Sequence, residues 1–164
     1  MSIVLDIVQT YRAPGRVQAR RMAGVPREDQ ALAVLLGACA LIFVAQWPRF
    51  ARESHLDEAV GLNALLAGGL FGWLMVMPLM FYAFAVLLTL MMKVLGAEVT
   101  GFQCRMALFW ALLASTPVWL FAGLLAGFAP GPGYLIVSTL ALVVVVVFTG
   151  AGLRRASASN RGMV

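Results

Sequence analysis

The sequence predicts an all-α protein, an integral membrane four-helix bundle with an amphipathic, basic N-terminal segment. Two observations predict this class. Hydrophobic residues make up 62% of the 164 residues and charged residues only 12%, whereas soluble domains have about 45–50% and about 25%. The charged residues also cluster between long apolar stretches. A soluble fold of this length could not cover so much apolar surface, so the excess indicates a lipid environment.

The first segment, residues 1–30, is a basic lead with two predicted short helices. Apolar residues recur at helical spacing on one face of the first helix, and Pro14 and Gly15 interrupt the pattern. We interpret the pair as interfacial helices on an anionic membrane surface. The alternative is a solvated tail whose arginines only set topology. The apolar face comprises Ile3, Val4, Ile7, Val8 and Tyr11, the polar face Asp6, Gln9, Thr10 and Arg12, and the predicted membrane-surface or partner contacts are Arg12, Arg16, Arg20 and Arg21.

Four apolar stretches predict a transmembrane domain over residues 31–153. The first stretch is 17 residues long, at the short limit for a spanning helix, and Trp47 and Pro48 are expected to end it. A polar loop is expected over residues 49–63. The four predicted spans are residues 31–47, 64–92, 107–128 and 134–153.

The second stretch is the longest, with 29 uncharged residues. As a helix it would extend about 43 Å, beyond a bilayer core of about 30 Å. We predict one tilted helix kinked at Pro78, because a proline kinks a helix without reversing it. A re-entrant break near Gly68 and Gly69 is the alternative. Pro117 predicts a kink in the third span.

The connections differ in character. Residues 93–105 predict a short polar connection, and the segment Ala-Pro-Gly-Pro-Gly at 129–133 predicts a tight turn. Residues 154–164 are rich in Ser, Asn and Gly and predict a disordered cytoplasmic tail.

The basic residues predict the topology. Five arginines lie in the lead and three in the tail, and Lys93 and Arg105 lie in the second connection. The opposite side has only Arg49 and Arg52. Because basic residues favour the cytoplasmic side, both termini are predicted to be cytoplasmic. Because the basic residues flank the apolar stretches, the net charge of +5 indicates contact with anionic headgroups and not with nucleic acid.

No catalytic residue, cofactor or metal is predicted, and the chain is not expected to be an enzyme. The four predicted spans contain no acidic, basic or histidine side chain, which argues against proton-coupled transport. His55 lies in a loop with Glu53, Asp57 and Glu58, where a weak metal site is conceivable. We interpret this loop as solvated.

Small residues four positions apart predict close helix packing, because they let helix backbones approach. Three such pairs occur in the spans. They are Ala33 with Gly37, Gly68 with Gly72, and Gly123 with Gly127.

Residues 88–117 combine the end of a long apolar helix, a loop bracketed by Gly96 and Gly101, a helix start at Phe102 and Gln103, and Pro117 at the centre of the next helix. This arrangement resembles the Yip family, the Ypt/Rab-interacting membrane proteins. The lead sequence Tyr-Arg-Ala-Pro at 11–14 is also similar to bacterial members. The resemblance implies a multi-pass bundle that works through contacts. Eukaryotic members usually have five spans and a longer N-terminal region, so Rab binding is not carried over.

The predicted function is a non-enzymatic scaffold or adaptor in the bacterial inner membrane, acting through lipid contacts and a protein partner or self-association. One alternative is an accessory subunit of a larger bacterial membrane complex, respiratory or photosynthetic. Another is a small transporter or channel for an uncharged or lipidic substrate. Its path would need the scattered polar residues Gln46, Asn63, Thr89, Ser115, Thr116, Ser138 and Thr139.

Overall fold

The structure is a computed structural model and describes residues 3–22, 26–56, 61–129 and 131–161. Over these residues the chain forms six helices and no strand, which confirms the predicted all-α class. The last four helices are long and apolar enough to cross a membrane. The helices are α1 (Ile3–Arg12), α2 (Pro14–Met22), α3 (Glu28–Leu56), α4 (Leu62–Val94), α5 (Gly101–Phe128) and α6 (Pro132–Arg161).

Helix α5 is the centre of the bundle. Every residue from 106 to 116 is buried, so α5 is covered on all faces over three turns. Helices α3 and α6 make most of these contacts. Helix α4 is peripheral, because only Pro78 and Ala85 of its 33 residues are buried. The core therefore lies along α5, and α4 leaves most of its apolar surface outward.

Helix α3 extends past the predicted 31–47 span and does not end at Trp47 and Pro48. It continues through Pro48 to Leu56, so the predicted loop is corrected to helix over 49–56. A proline inside a helix removes one backbone hydrogen bond, and the residues that follow it can form helix. Arg49 and Glu53 stand four residues apart there, with Nε and Oε2 separated by 3.8 Å.

Helix α4 is continuous, which favours the single kinked helix over the re-entrant break, since both Gly68 and Gly69 lie inside regular helix. A π-helical turn at Gly72–Val76 joins Leu62–Phe71 to Met77–Val94. In this turn the N–H of Met77 donates to the carbonyl oxygen of Gly72. The turn lies directly before Pro78, whose ring would clash with a carbonyl in a regular α-helix. The wider turn accommodates this proline.

The connection between α4 and α5 is shorter than the predicted 93–105. Gly96, with a φ of +69°, follows the end of α4 in the left-handed region that glycine adopts readily. Thr100 then caps α5. Its Oγ1 accepts from the N–H of Gln103 at 3.2 Å, and the Gln103 side chain accepts from the N–H of Thr100 at 2.9 Å. This reciprocal pair is a capping box, so α5 begins at Gly101.

Helix α6 continues beyond the predicted end at 153. The disordered tail predicted for 154–164 is corrected to helix over 154–161, and residues 162–164 lie outside the described chain. Leu153 and Ala156 are buried against the start of α5. The Asn160 side chain donates to the carbonyl oxygen of Glu98 at 2.6 Å. These tertiary contacts hold a polar sequence in helical form.

Helices α1 and α2 form an N-terminal hairpin that packs on α5 and α6. At the same end of the bundle, the Arg105 guanidinium at the start of α5 is paired with the Glu28 carboxylate at the start of α3. The hairpin, the start of α3 and the end of α6 therefore share one end of the molecule.

Candidate functional site

Helix α1 buries two polar residues, Asp6 and Thr10, and exposes most of its apolar residues. Asp6 is 5% exposed and Thr10 is fully buried. Of the predicted polar face, Asp6 and Thr10 point into the protein, whereas Gln9 and Arg12 are exposed; of the predicted apolar face, Ile7 packs against the core. In a lipid environment the burial of Asp6 and Thr10 is favourable, because polar groups that pair inside the protein are kept out of the hydrocarbon. The exposed apolar residues of α1 include Ile3, Val4, Leu5 and Val8.

Asp6 is the buried centre of an ion network whose Arg20 side chain is about half exposed. Its Oδ1 accepts from Nη2 of Arg20 at 2.5 Å and its Oδ2 accepts from Nη2 of Arg21 at 2.6 Å. The Arg21 side chain is 12% exposed and its guanidinium lies over the Trp110 ring, 3.7 Å from the centroid. A buried charge needs such a partner, since leaving it unpaired would be strongly unfavourable.

Thr10 completes this network, which we call the polar cluster: Asp6, Thr10, Arg20, Arg21 and Trp110. The indole Nε1 of Trp110 donates to Thr10 Oγ1 at 3.1 Å, and the Thr10 hydroxyl donates to the carbonyl oxygen of Asp6 at 2.7 Å. The polar cluster therefore links α1 and α2 to the middle of α5.

Two further contacts fasten the hairpin. The Tyr11 hydroxyl donates to the carbonyl oxygen of Ala114 at 3.0 Å, and partial burial raises the pKa of Tyr11 above its ordinary value. Gln18, fully buried, donates from Nε2 to the carbonyl oxygen of Phe148 at 2.8 Å. Gly152 lies against the same side chain, where a Cβ would come 1.6 Å from Gln18 Oε1. The hairpin thus contacts both α5 and α6 through polar groups.

The four arginines predicted to contact the membrane surface or a partner fall into two groups. Arg20 and Arg21 belong to the polar cluster. Arg12 and Arg16 are exposed and line a cleft together with Arg154 and Arg155 of α6, which are not among the predicted contacts. Their contact with headgroups or a partner stays a prediction.

The three predicted pairs of small residues differ in how closely they pack against other helices. A Cβ at Gly123 would lie 1.8 Å from the Ala45 carbonyl oxygen, and one at Gly127 would lie 2.5 Å from Pro48 Cβ. This pair brings α5 against α3. At Gly37, Gly68 and Gly72, by contrast, an added Cβ would meet no other atom within 4 Å.

The other two predicted pairs lie in different surroundings. Ala33 and Gly37 line an open cleft of about 810 Å³ between the hairpin and α3. On α4 the close approach is made by Gly69, where a Cβ would lie 2.7 Å from the Phe50 ring.

Four of the scattered polar residues, Thr89, Ser115, Thr116 and Ser138, form hydrogen bonds within their own helices. The hydroxyls of Thr89, Ser115 and Thr116 donate to backbone carbonyl oxygens three or four residues earlier. Ser115 and Thr116 do so directly before Pro117, the predicted kink, which lies inside the continuous helix α5.

The acidic loop is only partly described. His55 is exposed near the end of α3, and Asp57 and Glu58 lie outside the described residues. Within the described ranges, no group of three or more His, Cys, Asp or Glu side chains is placed to hold a metal ion.

The fold and the polar cluster define a class: a helical membrane protein with four long apolar helices and a docked N-terminal hairpin. Comparison of the chain with protein-family models, with curated proteins and with solved structures finds no significant match.

Sequence reasoning did not identify Trp110 or Gln18 as site residues. Trp110 lies in an apolar stretch and carries no spacing signal. A signal was present in α1, where Asp6 and Thr10 stand four residues apart on one side of the helix. In a membrane protein such a polar pair indicates an inward face.

Proposed function

We propose that this chain is a non-enzymatic, Yip-like scaffold or adaptor in the bacterial inner membrane, with both termini cytoplasmic. It acts by holding a protein partner, or a second copy of itself, through helix contacts inside the bilayer, while its basic end contacts anionic headgroups. The Yip-like assignment rests on the resemblance over residues 88–117.

The observation that carries the proposal is the position of α4. This helix is continuous over 33 residues, yet it is packed on the bundle along a narrow strip. Between α4 and α6 a groove of about 510 Å³ opens, lined almost wholly by apolar side chains. Phe84 and Val146 stand on its two sides and Leu108 of α5 lies between them. The shape and apolar lining of the groove fit an apolar helix, because in lipid helices associate through apolar surfaces and small residues.

The direct test is photo-crosslinking from position 84 in native membranes, followed by identification of the crosslinked product. We expect a product of one defined mass, a dimer of the chain or one partner. Ala83→Trp, which fills the groove, should abolish it. Ala67→Trp places the same side chain at an exposed position of α4 outside the groove and should leave the product unchanged. Crosslinks to lipid alone would contradict the proposal.

The same groove supports a second candidate, an accessory subunit of a larger membrane complex. Blue-native electrophoresis separates the two. Comigration with a respiratory or photosynthetic complex, lost in Ala83→Trp, favours the subunit. A small assembly of the chain with itself or with one partner favours the scaffold.

A further inference from the structure

A cleft between the turn of the N-terminal hairpin and the end of α6 is strongly cationic. It has a volume of about 430 Å³, and four of its eight lining residues are arginines. Arg12 and Arg16 come from the start of the chain and Arg154 and Arg155 from its end, so the fold alone brings them together. All four are exposed, and their guanidinium groups are open to a ligand.

The carboxylates described in the structure do not neutralise this cleft. None lies within 4.0 Å of a nitrogen of the four arginines. Asp6 is already bound by Arg20 and Arg21 inside the polar cluster. Four like charges repel one another, so the arrangement is favourable when an anion occupies the cleft.

The N-terminus of α2 adds to the positive potential. Pro14 and Gly15 begin this helix of nine residues and also line the cleft. The positive end of the α2 dipole adjoins the arginines, although α1 ends at Arg12 in the same cleft and its negative end offsets part of that potential, so the arginines supply most of the positive charge. A cation gains nothing at the N-terminus of a helix, whereas an anion does.

Gly15 allows one arginine to lie against this helix end. A Cβ at position 15 would come 2.7 Å from Cγ and 3.1 Å from Nε of Arg155. Any other residue would push the Arg155 side chain away. The close approach holds a guanidinium at a helix N-terminus, an arrangement that an additional negative group would stabilise.

We propose that this arginine cleft binds a phosphate group carrying at least two negative charges. Guanidinium groups bind phosphate oxygens through paired, parallel hydrogen bonds, and several of them can surround one tetrahedral anion. Ala151, the remaining lining residue on α6, belongs to the apolar part of that helix, three residues before Arg154. The cleft thus lies where the helix changes from apolar to charged, which is where a spanning helix meets the headgroups. The phosphate comes from an anionic phospholipid headgroup or from a soluble phosphate compound.

This site extends the proposed function and depends only on the chain lying in a membrane, not on its being a scaffold. Loss of phosphate binding in the experiment below would leave the crosslinked product from position 84 intact. Loss of that product would leave phosphate binding intact. The two proposals can therefore fail separately.

The test is calorimetric titration of the purified full-length protein in a neutral detergent. The probes are short-chain phosphatidic acid, short-chain phosphatidylcholine and inorganic pyrophosphate. We expect phosphatidic acid to bind and phosphatidylcholine not to bind. Arg12→Gln/Arg16→Gln and Arg154→Gln/Arg155→Gln should each raise the dissociation constant at least about tenfold, because each removes charge-assisted bonds to the phosphate.

Arg49→Gln/Arg52→Gln is the matched control, since it removes the same charge from helix α3 outside the cleft. It should change the dissociation constant by less than about twofold. Two milder variants distinguish a loss of phosphate binding from a loss of folding. Arg154→Lys/Arg155→Lys keeps the charge but removes the fork-shaped donors, and Gly15→Ala keeps all four arginines but displaces Arg155. Each should weaken binding while helicity and the unfolding midpoint stay unchanged.

Equal affinity for pyrophosphate and phosphatidic acid would assign the site to a soluble phosphate. Preference for phosphatidic acid would assign it to a lipid. Both outcomes support a phosphate site. Equal weakening by the control pair, or unchanged binding in Gly15→Ala and in both glutamine pairs, would overturn it.

Discussion

The guanidinium of Arg21 lies over the indole ring of Trp110, 3.7 Å from the ring centroid. The pair joins the N-terminal hairpin to the most buried stretch of α5. A cation over an aromatic face contributes about 0.5–2 kcal/mol, more as water is excluded. Here the same guanidinium also binds Asp6, so the charge is held by an anion and a ring together. The hairpin is therefore part of the bundle.

Asp6→Asn should detach the hairpin from the bundle. The substitution leaves Arg21 buried against Trp110 without its carboxylate, and removing one partner of a buried ion pair costs about 3 kcal/mol. Hydrogen exchange of residues 3–22 in detergent should become faster, while exchange in the centre of α5 changes little. Asp29→Asn is the control, because Asp29 forms a fully exposed pair with Arg27 and is expected to have no effect. Unchanged exchange in Asp6→Asn would show that the network does not hold the hairpin.

Thr10→Val tests the hydrogen bond to Trp110. Valine has nearly the shape of threonine but cannot accept from the indole N–H, which would be left unpaired in the core. The expected loss is about 1–3 kcal/mol in the stability of the docked hairpin, measured by the same exchange experiment. Thr139→Val, at an exposed position of α6, should have no such effect. If both variants behave alike, the contact between Thr10 and Trp110 contributes nothing.

Gly123→Ala should destabilise the contact between α3 and α5. A methyl group there would lie 1.8 Å from the Ala45 carbonyl oxygen, so the two helices would have to move apart. Overpacking of this kind typically costs about 1–3 kcal/mol or more. Denaturation in detergent should show a lower midpoint. Gly68→Ala, which meets open space, should have no effect or raise the midpoint, because alanine favours helix over glycine by about 1 kcal/mol. A midpoint unchanged by Gly123→Ala would contradict the close approach.

The positions of the four long helices could be predicted because uninterrupted apolar stretches identify them. Their ends could not be, because tertiary contacts decide them. Pro48 suggested an end to the first span, but Gly127 leaves room for this proline against α5 and the helix continues. The polar sequence after Leu153 suggested disorder, and Asn160 instead binds the Glu98 carbonyl oxygen across the bundle.

The site was less predictable than the fold. The pattern in α1 defined two faces, but only the folded chain shows that Asp6 and Thr10 are buried while Gln9 and Arg12 are exposed. Trp110 is one of many apolar residues in its stretch, and only the folded chain places its N–H beside Thr10. The arginine cleft joins the two ends of the chain, so no local pattern could reveal it.

Docking of the hairpin should weaken at high pH through Tyr11. The neutral hydroxyl donates to the Ala114 carbonyl oxygen, and burial raises the pKa of this group above its ordinary value of 10.0. The folded state therefore binds the phenolic proton more tightly than the unfolded state. The stabilisation is fully present below pH 10.0 and is lost as the pH rises through the raised pKa.

The measurement is the unfolding midpoint as a function of pH between about 8 and 11.5, with tyrosinate absorbance recorded in parallel. We expect the midpoint to fall as Tyr11 ionises. The phenylalanine in Tyr11→Phe cannot ionise. Its free energy of unfolding should be lower by about 1 kcal/mol at the low-pH end of the range, because the hydrogen bond is lost. Its unfolding midpoint should then depend less on pH. Tyr134→Phe is the control, since it removes a tyrosine from the start of α6, far along the chain from the hairpin, and should retain the full pH dependence. The same pH dependence in Tyr11→Phe as in the unaltered chain would assign the effect to another group.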